Sequence, residues 1–387
     1  MNPFIQADKN PTLAEMVIPK IKVIGLGGSG CSTVNRLASL RIPGVQLIAA
    51  NTDLQTLNLI SADQKLLLGP TLTNGKGAGG NAGIGQKAAE ESYRELISLI
   101  QDADLVFLTA GLGGGTGSGA IQIAARMARS MEILTISIVT LPFSFEASIR
   151  QQNAREAAAK LQPFTNTMIT IPNDQILKIA PQDTSMKIAL GMADDILIKG
   201  ILGISELVCR PGLMDVDMSH LMRMMRMGGG CFISTGSAQG QHAAVQALQS
   251  ALTNPLLENV HTQQASGVVI KLSGHPTIED LNQSIAYLKE CTSKNTEIIP
   301  AISEDNHLED GIHVTLLVTG VGATSIEKPI IPGQPDQTGG FEPQPEPFKI
   351  ENSKDHYPDG STMEDLEMPA FLRKGYNLID HSYPDYG

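Results

Sequence analysis

What the chain is short of narrows it first. Only four cysteines (Cys31, Cys209, Cys231 and Cys291) are scattered through 387 residues, with neither metal-ligand nor disulfide-framework spacing, which suits a reducing cytoplasm. Basic residues are outnumbered, 28 Lys and Arg against 40 Asp and Glu. The resulting net charge of −12 argues against a nucleic-acid partner held by a general basic surface. Residues 1–19 hold no apolar stretch of signal-peptide length, and no later run is long enough to span a bilayer. Direct membrane insertion is therefore not expected, and any membrane contact has to come through a partner.

Glycine, by contrast, is concentrated in three clusters before residue 120. The densest places six glycines among the nine residues 111–119, with hydroxyls at Thr116 and Ser118. An unbroken apolar run, Leu105-Val106-Phe107-Leu108, precedes it and reads as a buried parallel strand; Ile121 to Ala128 follow with helical spacing. Glycines at such a strand-to-helix turn take positive φ and let a ligand approach without a Cβ in the way. The first amides of the helix, with its dipole, then favour an anion such as phosphate. A turn made glycine-rich for packing alone needs one or two glycines, not six.

The first cluster, Gly25-Leu26-Gly27-Gly28-Ser29-Gly30-Cys31-Ser32, follows a strand at 21–24 and leads into a helix expected over 33–40. With Asp53 after a second strand at 45–50, Gly25-x-Gly27-x-x-Gly30 also fits a dinucleotide fingerprint, hence an NAD-dependent oxidoreductase. That rival leaves residues 111–119 without a role. Asn51-Thr52-Asp53 fall at a strand's C-terminal end, where open α/β sheets bind ligands. The remaining cluster, 75–85, reads as a flexible loop and contains no Walker motif. Three such loops suit a nucleotide gripped from several sides.

Further on, a strand at 134–139 leads to Glu146 and Arg150. The pair is either a ribose and phosphate contact or an exposed i,i+4 ion pair worth roughly 0.3–0.5 kcal/mol. A strand at 167–171 ends in Pro172-Asn173-Asp174. A long helix is expected over 184–208, its apolar positions Ile188, Met192, Ile196, Ile201 and Leu207, stopped by Arg210-Pro211-Gly212. Asp194 and Asp195 interrupt it. Adjacent acids there are either solvated or, beside a base site, able to accept from guanine N1–H and its 2-amino group. Residues 212–220 then carry Asp215, Asp217 and His220, before a methionine-rich helix that reads as core. A smaller α/β unit follows, with strands near 231–235, 267–272, 297–301 and 313–319. Its helices fall at 242–253 and 278–290, the second opened by Thr277 with Asp280 three residues on.

The fold class expected is α/β: a Rossmann-like nucleotide-binding domain, a long central helix and a second, smaller α/β domain. In residues, these are a flexible arm (1–18), the nucleotide domain (19–183), the central helix (184–209), the second domain (210–325), a disordered linker (326–361) and a docking tail (362–387). Residues 363–374, Met-Glu-Asp-Leu-Glu-Met-Pro-Ala-Phe-Leu-Arg-Lys, read as a peptide that docks on a partner.

Gly113-Gly114-Gly115-Thr116-Gly117-Ser118-Gly119, the two upstream clusters and the terminal peptide together resemble the FtsZ family of the tubulin superfamily, bacterial cell-division proteins, from about residue 20 to 322 and again at 363–374. The resemblance implies binding of GTP or GDP, Mg2+, and head-to-tail self-assembly into filaments in the cytoplasm at the mid-cell division site. It implies a tail that docks membrane tethers such as FtsA or ZipA. It puts the phosphates against Gly28, Ser29 and Gly30 and against Gly114, Gly115, Thr116 and Gly117, with Cys31, Ser32, Asn51 and Asp53 also in the nucleotide pocket. Gly79, in the 75–85 loop, is implied to sense the γ-phosphate, and Glu146 to hold the ribose. Arg150, Asn173, Asp194 and Asp195 are implied to hold the nucleotide and read guanine.

In that family, acids of the loop after the central helix enter the neighbouring subunit's pocket and position the attacking water. The family pattern Gly-x-x-Asn-x-Asp-x-x-Asp/Glu becomes here Asp215, Asp217 and His220, so one carboxylate has moved and an imidazole takes its place. Cys31-Ser32 replace the usual Gly-Asn, and Leu190 replaces an aromatic. The expectation is a GTPase of slowed or retuned turnover; the alternative is a structural filament that scarcely hydrolyses.

Overall fold

The computed structural model describes residues 19–42, 44–181, 183–209, 213–214, 216, 218–226, 230–253, 262–305, 308 and 311–321. The expected arm, linker and docking tail lie outside the described residues, as do Asp215 and Asp217.

Six strands, β1 (Ile21–Leu26), β2 (Val45–Asn51), β3 (Gln64–Leu67), β4 (Leu105–Gly111), β5 (Leu134–Leu141) and β6 (Thr167–Pro172), form one parallel sheet in the order β3-β2-β1-β4-β5-β6. Runs such as Leu105 to Ala110 are buried on both faces, so helices must cover both sides of the sheet. The helices are α1 (Gly27–Ala38), α2 (Leu54–Leu59), α3 (Pro70–Thr73), α4 (Ala82–Glu91), α5 (Tyr93–Ile100), α6 (Gly115–Ser130), α7 (Ser148–Leu161), α8 (Asn173–Ile179), α9 (Met186–Cys209) and α10 (Met218–Arg226). Alternate strand residues sort between two cores. Val23, Phe107 and Ile138 pack with Val34 and Leu37 of α1 and with α9. Ile24, Leu108 and Val139 pack with α4, α5, α6 and α7.

The second sheet is mixed. Strands β7 (Cys231–Gln239), β8 (Gly267–Gly274), β9 (Glu297–Glu304) and β10 (Gly311–Thr319) lie in the order β7-β10-β8-β9, antiparallel except for β8 beside β9. Its outer face carries α11 (Ala243–Leu252) and α12 (Ile278–Cys291), the latter opened by the expected Thr277–Asp280 capping box. Its inner face joins the core that α9 shares with the first sheet. Close approach there depends on two glycines. A Cβ on Gly200 would sit 3.3 Å from Ile138 of β5 and 3.4 Å from Ile233 of β7, and one on Gly203 would sit 2.6 Å from Ile233.

The buried stripe of α9 differs from the expected one. Ala189, Ala193, Leu197, Ile201, Ile204 and Leu207 are buried, whereas Ile188 is exposed and Met192 and Ile196 are half-buried. The first half of the helix meets α1 through small and polar residues, so aliphatic spacing alone misplaces its inner face. Helix starts differ as well. α1 begins at Gly27 rather than at 33, α6 at Gly115, and α4 turns the last four residues of the supposed flexible loop, 82–85, into helix. Glycine's poor helix propensity gives way to packing that leaves no space for a side chain. A Cβ on Gly30 would meet the backbone of Gly25 at 3.0 Å, and one on Gly117 would sit 2.7 Å from the Gly111 oxygen.

Candidate functional site

In a parallel sheet, ligands bind at the strands' C-terminal ends where the strand order reverses. Here that point lies between β1 and β4; β1 runs straight into α1 and β4 reaches α6 through the short turn 112–114, and the first turn of each helix is glycine-rich. The two helix N-termini touch. A Cβ on Gly27, at φ +73°, would lie 2.8 Å from Gly117 N, and one on Gly111 would lie 2.8 Å from Ser29 Cβ. The third glycine segment closes on the same place, since a Cβ on Gly115 would sit 2.8 Å from Asn81 N and 2.9 Å from Ala78 Cβ. At Gly28, Gly79 and Gly114, in contrast, a Cβ would meet nothing within 4 Å. Two positive helix ends thus converge beside an open floor of backbone, an arrangement that fits a polyphosphate.

The hydroxyls shape this floor. Ser118 is buried and its Oγ accepts from the Gly113 N–H at 2.8 Å, fixing the turn rather than facing a ligand. Thr116 and Thr52 share a hydrogen bond of 2.6 Å between their Oγ1 atoms, which ties α6 to the end of β2. Asn51, next to Thr52, is buried. Asp53 caps α2, accepting from the N–H groups of Gln55 and Thr56 and from the Thr56 hydroxyl at 2.8 Å. The Thr56 hydrogen bonds hold its carboxyl below the usual range. That use of Asp53 removes the acid a dinucleotide reading needs for its ribose. Cys31 also differs from expectation. Its side chain is buried, with Sγ 3.6 Å from the carbonyls of Gly25 and Ala50, and burial pushes the thiol up to about 12. The thiol belongs to the core, which leaves only the Cys31 backbone for a ligand.

Around the floor stand the polar groups read from the later segments. Glu146 accepts from the Phe143 N–H at 2.8 Å and pairs with Arg150 Nε at 2.6 Å, so the i,i+4 ion pair is present. The Arg150 backbone oxygen lies 2.9 Å from where a Gly113 Cβ would stand, which puts α7's first turn against the phosphate loop. Asn173 opens α8; it is 6% exposed, and its Oδ1 has no hydrogen-bond partner among the described residues. Its neighbour Asp174 accepts from the Ser144 N–H at 2.8 Å, which joins the start of α8 to the segment between β5 and α7.

Asp194 is buried and Asp195 has its side chain half exposed, and both are paired. Asp194 accepts from Ser32 Oγ at 3.0 Å and Thr33 Oγ1 at 3.1 Å, with Arg36 Nη1 at 3.8 Å. Burial raises its carboxyl above the usual value, against those hydrogen bonds and Arg36. Asp195 pairs with Arg36, which also donates to the Gly191 carbonyl at 2.6 Å. The acidic pair is thereby locked to α1, the same helix that presents Gly28 and Gly30. Sequence reading missed Thr33 and Arg36. The signal was helical spacing, because Ser32, Thr33 and Arg36 share one face of α1. His220 is exposed on the first turn of α10, and Leu190 is exposed on α9.

Comparison with known proteins agrees with this geometry. Residues 20–181 match the model of the Tubulin/FtsZ family GTPase domain, and residues 229–322 match that of the FtsZ family C-terminal domain. The cell division protein FtsZ 1 of Pyrococcus furiosus is 40% identical over 310 residues, covering 80% of this chain and 83% of that protein. The cell division protein FtsZ of Pseudomonas aeruginosa is 36% identical over 355 residues, covering 91% and 88%. Among solved structures, an empty FtsZ dimer of Methanocaldococcus jannaschii superposes with a TM-score of 0.74 at 36% identity, over 82% of this chain and 96% of that one.

Fold and site thus define a GTPase of the tubulin superfamily. The oxidoreductase reading falls, because the glycine fingerprint of β1–α1 is only half of a site that β4–α6 completes. The chain belongs to the FtsZ family, GTPases that assemble into filaments in cell division.

Proposed function

We propose that this chain binds GTP across the β1–α1 and β4–α6 junctions, assembles head to tail, and hydrolyses the nucleotide at the junction between two copies. The observation that carries the reading is the meeting of two helix N-termini at Gly27 and Gly117 beside the open backbone of Gly28, Gly79 and Gly114. Amides there hold the phosphates and stabilise the charge that develops on the γ-phosphoryl oxygens. Glu146 accepts from the ribose, with Arg150 beside it, and Asn173 Oδ1 takes a donor of the nucleotide. Asp194 exchanges its Ser32 and Thr33 hydrogen bonds for guanine N1–H and the 2-amino group, with Arg36 holding Asp195 in place.

Among the described residues no group of three His, Cys, Asp or Glu is placed to hold a metal ion. Mg2+ is held chiefly by phosphate oxygens and water, as is usual for this ion on nucleotides. Water attack falls to the second copy, whose Asp215 and Asp217 orient the nucleophile. With His220 in place of a carboxylate, hydrolysis runs slowly and filaments turn over slowly. Residues 363–374 dock a membrane tether of the FtsA or ZipA kind, which localises the filaments at mid-cell.

The test pairs sedimentation with phosphate release, using GTP, GDP, ITP and NAD(H). Pelleting with GTP but not GDP, phosphate release that appears only with the polymer, and weaker binding of ITP, which lacks the 2-amino group, are expected. A protein that stays monomeric with GTP and binds NAD(H) instead ends the proposal.

A further inference from the structure

One buried cation outside the nucleotide site sits at the C-terminal end of α9. Lys271, on β8, is 4% exposed, and its Nζ donates to the Glu206 carbonyl at 2.9 Å. Glu206 is fourth from the end of α9, so this carbonyl is one of the four at the helix C-terminus that lack an intrahelical donor. The helix dipole favours a cation at that end, which offsets part of the cost of burying the ammonium group.

The chain leaves α9 and is tied down again seven residues after Glu206, on the next strand. The N–H groups of Leu213 and Met214 donate to the Ile302 carbonyl of β9 at 2.9 and 3.4 Å, and the Ile302 N–H donates to the Met214 carbonyl at 2.9 Å. In the β8–β9 register Lys271 faces Ala301, the residue before Ile302, so the two attachments are adjacent. Val216 follows as a buried member of the core that α9 shares with both sheets. The acids Asp215 and Asp217 flank Val216 in sequence.

We propose that Lys271 is a positioning residue for hydrolysis: it fixes the end of α9 against β8 beside the strand that holds Met214, and so sets the reach of the loop bearing Asp215 and Asp217. This rests on the reading that those acids act on the neighbouring copy's nucleotide. Proximity terms are steep, a displacement of about 1 Å costing on the order of a hundredfold in rate, so a loosened anchor shows in turnover before it shows in binding.

The test uses the full chain as K271M, K271R, L213P and D217N, measuring phosphate release per pelleted subunit at saturating GTP, GTP affinity of the unassembled protein, and thermal unfolding. K271M is expected to lower turnover at least about tenfold while leaving GTP affinity within twofold, and K271R to restore at least half of the wild-type rate. L213P removes the 2.9 Å donor of the other attachment at an exposed residue and is expected to show the same split; it decides the matter if K271M does not fold. K271M and L213P filaments turning over within twofold of wild type overturn the inference, as does a K271R as slow as K271M. A D217N filament with wild-type turnover overturns instead the trans-acting role of the acids, so the two failures are told apart.

Discussion

Replacing Gly30 and Gly28 by alanine separates packing from ligand contact within one turn of α1. Gly30 is buried against the Thr109 carbonyl and the Gly25 backbone, well inside contact distance, so an added methyl must push the strand-to-helix junction open. Overpacking against backbone costs up to about 3 kcal/mol, and alanine returns about 1 kcal/mol through helix propensity. A net loss of about 2 kcal/mol, or roughly 4–8 °C in Tm, is expected. Gly28 is exposed with nothing within 4 Å, so Gly28→Ala keeps only the gain, up to about 1 kcal/mol. Its methyl, however, stands on the open floor proposed for the phosphates, and a fall of at least about tenfold in GTP affinity, about 1.4 kcal/mol, is expected. Thermal unfolding of nucleotide-free protein with fluorescent-GTP titration measures both. A Gly28→Ala protein that binds GTP like wild type, or is destabilised as much as Gly30→Ala, refutes the assignment of this floor.

His220→Asp, which restores a carboxylate at the loop's far end, is expected to raise phosphate release per pelleted subunit; an unchanged or lower rate counts against the account of His220. Because the folded-state pKa of Asp194 is raised chiefly by burial, its contribution to stability is fully present below the ordinary carboxylate pKa and is lost as pH rises through the raised value. Asp194→Asn should therefore remove that fall, and parallel Tm-versus-pH curves for the two proteins as pH rises from the ordinary carboxylate range would show otherwise. Asp53 has the opposite sign: its pKa is lowered by the Thr56 hydrogen bonds, so its cap is fully effective above the ordinary carboxylate range and fails as pH falls. Asp53→Ala is expected to cost about 0.5–2 kcal/mol at neutral pH, with the gap in Tm to wild type narrowing in acid.

The strands and most of the polar anchors were legible in sequence because each rests on a local signal. Leu105 to Ala110 announces a strand buried on both faces, and Thr277 with Asp280 announces a helix start. Gly113 to Gly119 is dense enough to identify its family. What stayed illegible depends on contacts between distant segments. Nothing local says that Asp194 is held by Ser32 and Thr33, about 160 residues earlier in the chain, or that Cys31 points into the core. Gly27, Gly30 and Gly117 look like loop residues until the backbone that crowds them is known, and only then can they start helices.

The direct passage from β1 into α1 also limits how this protein can vary in length. With no connecting loop to absorb it, one residue inserted between Leu26 and Ser32 would rotate the remainder of the helix by about 100°, carrying Thr33 and Arg36 away from Asp194 and Asp195. Relatives aligned across residues 21–38 are expected to show substitutions there and no gaps.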